Sequence, residues 1–144
     1  MPKPDASRVM NGTYGKLWVN GDLWAEVDAF EAKVTVNYED VSFAGEGATF
    51  KKATGWAGGG TISIKKVYSR VQHAMAEQVR RGEYPRFEFV GKLEDPDAFG
   101  AERVALHDVT ISEFLLLKFA QKTLGAEDIP FSFSDYELVD SVRA

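Results

Sequence analysis

A chain of 144 residues with no cysteine, a net charge of -5 and a pI near 5.1 is one domain by length, large enough to bury a core without staples. The absence of cysteine excludes disulfides and thiolate-based metal or redox sites, and the acidic balance argues against steady binding to DNA or RNA, whose phosphates are held by Lys and Arg. MPKPDASRVM at the N-terminus lacks the apolar core of a secretory signal, and the longest apolar run, Phe114–Leu117, is too short for a bilayer, so a soluble chain made in a cytoplasm is expected.

Residues 1–10 carry two prolines among polar residues and read as a flexible arm that orders on contact. Tyr14–Val19, then Asn20-Gly21, then Asp22–Val27 is a hairpin pattern with a two-residue turn of the kind that needs positive φ at both central positions. That register sets Trp18 against Leu23 on one face and Leu17 against Trp24 on the other, so cover on both faces is expected. The second strand continues to about Tyr38, with Phe30, Ala32, Val34, Val36 and Tyr38 alternating with Glu31, Lys33, Thr35 and Asn37. The apolar phase switches between Val27 and Phe30, which places a bulge or bend near Asp28-Ala29.

Val41 to Gly60, VSFAGEGATFKKATGWAGGG, then reads as a long loop between strands, of a length that is either functional or disordered in compact domains. Phe43, Phe50 and Trp56 need burial while six glycines leave the backbone unconstrained, so the segment is stable only against something. Two readings stand: it folds back over its own core, or it folds against another copy of the chain.

Thr61–Tyr68 is the next strand, with Ile62 and Ile64 alternating with Thr61, Ser63 and Lys65. It leads into one helix, with Ser69 as N-cap, Gln72 placed for a capping box, Val71, Ala74, Met75, Gln78 and Val79 on one stripe, and Gly82 as the stop. Arg86–Leu93 and Glu102–Ile111 are strands around an Asp-Pro-Asp turn, the latter with a second phase slip between Leu106 and Val109. Leu115–Lys122 reads as a continued strand or a short helix, and Ile129–Leu138 as an edge strand with Phe131 and Phe133 inward. The pattern as a whole is mainly β: an antiparallel β-sandwich or open barrel with one flanking helix and a long inter-strand loop.

No catalytic constellation emerges from the residues. His73 lies on the polar helix face with Glu77 one turn on, and His107 sits beside Asp108 at a phase slip, where a structural role outweighs acid–base chemistry. Asp95 and Asp97 lack the further ligands of a calcium loop, Gly45–Lys51 lacks Walker spacing, and no G-x-S-x-G occurs. Neither a metal nor a cofactor is implied.

The order of Asn11-Gly12, Gly15–Gly21, Phe30–Val34, Lys52-Ala53-Thr54-Gly55 leading to Gly60-Thr61, Lys66–Arg70 with its helix, Val104–Val109 and Ile129–Tyr136 resembles the tail tube proteins of contractile-tailed phages and defective prophages. The resemblance spans nearly the whole chain and lies in the order of the motifs rather than in any one of them. It implies hexameric rings that stack into a rigid tube in a virion tail, with sheath and baseplate proteins as partners and nucleic acid only as passing, non-specific cargo. It implies an assembly role for 41–60, through Phe43, Phe50, Lys51, Lys52, Thr54, Gly55, Trp56 and Gly60. If the flanking strands form the inner wall, Glu31, Lys33, Thr35, Asn37, Thr61, Ser63 and Lys65 face the channel. The competing readings are the tube of a related injection or secretion machine and, from another class, a calycin-type ligand-binding barrel with 41–60 as its lid.

Overall fold

The computed structural model describes residues 5–143. Among the described residues eight strands, β1 (Gly15–Val19), β2 (Asp22–Leu23), β3 (Val27–Val41), β4 (Phe50–Lys65), β5 (Phe87–Glu94), β6 (Ala101–Ile111), β7 (Ala126–Phe133) and β8 (Asp135–Asp140), form one open antiparallel sheet with one α-helix, α1 (Arg70–Arg80), beside it and two short 3-10 turns, Ala6–Arg8 and Gly12–Tyr14, before it. The order is β2-β1-β5-β6-β7-β4-β3, with β8 paired to β6. β6 is the fold line: β8 covers its edge over Arg103–His107, and β7 takes over at Thr110 and Ile111. The two wings so formed close on a core that includes Leu17, Ile62, Ile64, Phe89, Leu106, Val109 and Ile129.

Local chemistry explains the corners. Asn20 and Gly21 sit at φ 49° and 88°, the primed turn that an Asn-Gly pair adopts at least cost, and Trp18 pairs with Leu23 as the spacing requires. Cover on both faces is not found: Leu17 and Trp24 are buried, whereas Leu23 is exposed. The register shift between Val27 and Ala29 is the bulge that the phase switch implied. A turn at Ala25-Glu26 separates β2 from β3, so the strand is not continuous from the first hairpin.

Ser69 precedes α1 but its side chain makes no capping bond, and Gln72 donates to the Leu116 carbonyl instead of closing a capping box. The C-terminal end behaves as expected, because Gly82 at φ 82° lets its own N–H reach the Val79 carbonyl and that of Glu83 reach Gln78. Val71 and Met75 carry the apolar stripe into the core.

The second slip is also a bulge, centred on Asp108 at φ 57°. Hydrogen bonds from Ser134 and Arg86 hold the Asp108 carboxyl below its usual range. The hydrogen bond between His107 Nδ1 and Glu88 raises the His107 pKa, with Glu137 3.8 Å from the other ring nitrogen. A raised folded-state pKa means that the His107 contribution is complete below the unfolded value of about 6.5 and is lost as pH rises through the folded value. His107→Gln should therefore flatten the part of the fall in Tm that occurs above about pH 6.5, measured by thermal unfolding across that range.

Three further expectations change. The stretch read as one edge strand, Ile129–Leu138, is two strands divided at Ser134, and β7 lies inside the sheet between β4 and the end of β6. Leu115–Lys122 is neither strand nor helix. Of the arm at 1–10, residues 1–4 lie outside the described part, while Arg8 bonds the Asp97 carbonyl at 2.7 Å and lies over the Phe99 ring.

Candidate functional site

The long loop is a hairpin. β3 and β4 stay paired from Val27/Ile64 to Val41/Phe50, so only residues 42–49 form the connection, and the Lys- and Gly-rich half of the expected loop is strand. β7 supports β4 only as far as Gly58; beyond it, among the described residues, β3 and β4 are laddered only to each other. At about 3.4 Å per residue, Val34 to Val41 extends some 25 Å as a two-stranded ribbon. Such a ribbon is marginal in water by itself.

Its two faces differ in kind. Glu31, Lys33, Thr35 and Asn37 share one face of β3, and Thr61, Ser63 and Lys65 continue it on β4. Asp128 of β7 belongs to the same face, where Ser63 donates to its carboxylate at 2.7 Å. Lys33 lies 4.0 Å from Glu31 and Lys65 3.2 Å from Asp28, so both cations already have carboxylate neighbours. Two lysines against Glu31, Asp28 and Asp128 leave this face weakly acidic.

The opposite face is apolar. At its base Phe30 stacks on Phe131 and touches Gly91 of β5. Farther out, Val34, Val36, Tyr38 and Trp56 lose their cover, with Val36 44% and Tyr38 58% exposed. A cleft of about 650 Å³ runs between this face and the β5–β6–β8 wing, floored by Leu17, Leu93, Val104 and Leu106. Trp56 bridges the wings by setting its ring edge-on to Tyr136, 5.4 Å between centroids, and leaning on Phe133.

The eight residues assigned to assembly are thus spread over different settings. Phe43 stands near the tip with Phe50 edge-on to it, both exposed. Lys51 pairs with Asp40 and Lys52 lies opposite Glu39. Thr54 donates to the Asn37 carbonyl where the ladder shifts register, and Gly55 is the next pair along. Gly60 is not at the exposed end: a Cβ there would lie 1.9 Å from the Glu31 carbonyl oxygen, so it packs inside the sheet. Tyr136 was missed from sequence, although the switch of apolar phase from Phe133 to Tyr136 marks it.

Nor is the 41–60 stretch a lid, since it is laddered to β3 and the sheet stays open, which removes the closed cavity that a calycin-type barrel requires. The model of a family described as "Phage tail tube protein" matches residues 3–140. The chain belongs to that family. Two Bacillus subtilis (strain 168) relatives are each 31% identical: the phage-like element PBSX protein XkdM, over 95% of both chains, and the uncharacterized protein YqbM, over 96% of both. A solved chain from the sheath–tube complex of an extracellular contractile injection system, in its extended state, matches 95% of this chain and 100% of its own at a TM-score of 0.71 and 7% identity. At that identity the likeness is one of fold.

Proposed function

We propose that the chain is the tube subunit of a phage-like contractile tail, assembling into hexameric rings that stack around a channel. The observation that carries this is the β3–β4 hairpin, whose outer half has an exposed apolar face and, among the described residues, no backbone ladder beyond its own two strands. Phe43, Phe50 and Trp56 anchor it on the adjacent copy. Lys51, Lys52, Thr54 and Gly55 shape the ribbon between those anchors, whereas Gly60 supports it from within.

Glu31, Lys33, Thr35, Asn37, Thr61, Ser63 and Lys65 line the channel. With Lys33 and Lys65 beside carboxylates, few free cations are left to hold phosphates, so DNA slides through without adhering. The role is structural and not catalytic. Sheath and baseplate proteins are its partners in the virion tail, and the subunits are made in the host cytoplasm.

Negative-stain electron microscopy of the purified protein, with sedimentation velocity at low and high concentration, tests this. Rings or hollow tubes are expected. A chain that stays monomeric at high concentration and takes an apolar dye into the 650 Å³ cleft would overturn the assembly reading.

A further inference from the structure

The segment between β6 and β7 has its backbone tied down and its apolar side chains turned out. Leu115 N–H bonds the buried Glu127 carboxylate, Gln72 bonds the Leu116 carbonyl, and the Gly125 carbonyl accepts from Lys66. Yet Leu116, Leu117, Phe119 and Leu124 are exposed, Phe119 by 80% and Leu124 by 94%. A run of exposed apolar side chains between two anchored ends marks a contact surface. Its only charges from Leu115 to Leu124 are Lys118 and Lys122.

The complement lies elsewhere on the same chain. β8 pairs with β6 alone among the described residues, which leaves its outer backbone groups unpaired. Leu138, Val139 and Val142 are exposed along its end. Its charges are Asp135, Glu137 and Asp140, with no Lys or Arg before Arg143. One surface is apolar and basic; the other is apolar with an excess of carboxylates, although Asp140 has Arg103 and Glu137 has His107 each 3.8 Å away.

The Asp140 end of the acidic strand is remote from the basic segment within one molecule. Asp140 pairs with Arg103 near the start of β6, whereas the basic segment begins after Ile111 at its other end. Eight residues of strand separate the two by about 25 Å. Unlike patches at separate places on a subunit suit a head-to-tail contact, which closes into a ring or runs on as a filament.

We infer that the segment Leu115–Leu124 of one copy seats on the free edge and end of β8 in the next copy. This rests on the self-assembly reading above and names a contact distinct from the hairpin. Lys118 and Lys122 face Asp135, Glu137 and Asp140 across it, and the leucines and Phe119 cover Leu138, Val139 and Val142.

Charge reversal tests the pairing, because like charges brought together across an interface cost several kcal/mol while a complementary swap does not. One variant carries Lys118→Glu and Lys122→Glu; the other carries Glu137→Lys and Asp140→Lys. All four positions are on exposed side chains, and far-UV circular dichroism checks that both variants fold. Each variant alone should need at least tenfold more protein than wild type to assemble in sedimentation velocity. Their equimolar mixture should recover wild-type assembly, since every contact between unlike copies is again between opposite charges. Variants that assemble at the wild-type concentration, or a mixture no better than its components, would overturn this inference and leave the tube reading standing. A wild-type chain with no self-association would overturn both.

Discussion

Phe43→Ala with Phe50→Ala should leave a folded monomer that no longer assembles at wild-type concentrations. The two rings touch each other near the hairpin tip, 5.6 Å between centroids, and both are exposed. Losing that mutual contact costs the monomer only about 1 kcal/mol. In the proposed assembly the same rings become buried anchors, and truncation of such an anchor typically costs about 2 kcal/mol or more. Two of them shift the assembly concentration by roughly a thousandfold at about 1.4 kcal/mol per tenfold. Sedimentation velocity reads the shift and thermal unfolding confirms the fold. Assembly at the wild-type concentration would remove the tip from the interface.

Gly60 should be the least replaceable of the three consecutive glycines in β4. A Cβ on Gly60 would lie 1.9 Å from the Glu31 carbonyl oxygen, 2.9 Å from the Ala32 Cα and 2.7 Å from the Phe131 ring. Two of these neighbours are backbone of the paired strand and cannot step aside without breaking the ladder. At Gly58 the obstruction is the Phe133 ring at 2.4 Å, which has some room to turn, and at Gly59 the nearest atom is 3.4 Å away. Alanine should therefore cost little at Gly59, more at Gly58, and above about 4 kcal/mol at Gly60, as overpacking against fixed atoms does at its upper end. Such a loss is a large fraction of a domain's typical total stability of about 5–15 kcal/mol. Urea midpoints at unchanged m-value measure the series. Equal costs at Gly59 and Gly60 would contradict the packing described here.

These glycines also show where the sequence was readable. The Asn20-Gly21 turn, the bulges at Asp28 and Asp108 and the stripe of α1 each follow from a local rule that the tertiary structure did not override. The start of β4 did not, because Lys51, Lys52 and the glycines have poor strand propensity and their pairing is imposed by β3. Gly58 and Gly60 read as freedom of the backbone, whereas they are vacancies filled by Phe133 and Phe131 from the neighbouring strand. Alternation in β3 gave the two faces of the hairpin correctly. It carried no information about cover, so Val34, Val36 and Tyr38 looked half-buried and are exposed. The polar face was legible residue by residue, while Asp128, which completes it, comes from a strand whose partner only the fold supplies.

The exposed face of the hairpin and the weakly acidic opposite face are two sides of one ribbon, so anchoring the first on a neighbour decides where the second points. A cryo-electron microscopy reconstruction of the assembled tube locates both at once. Six subunits per ring are expected, with Glu31, Lys33, Thr35 and Asn37 on the channel wall and Trp56 buried between copies. A tube in which those polar side chains lie on the outer surface, or in which Trp56 remains open to solvent, would contradict it.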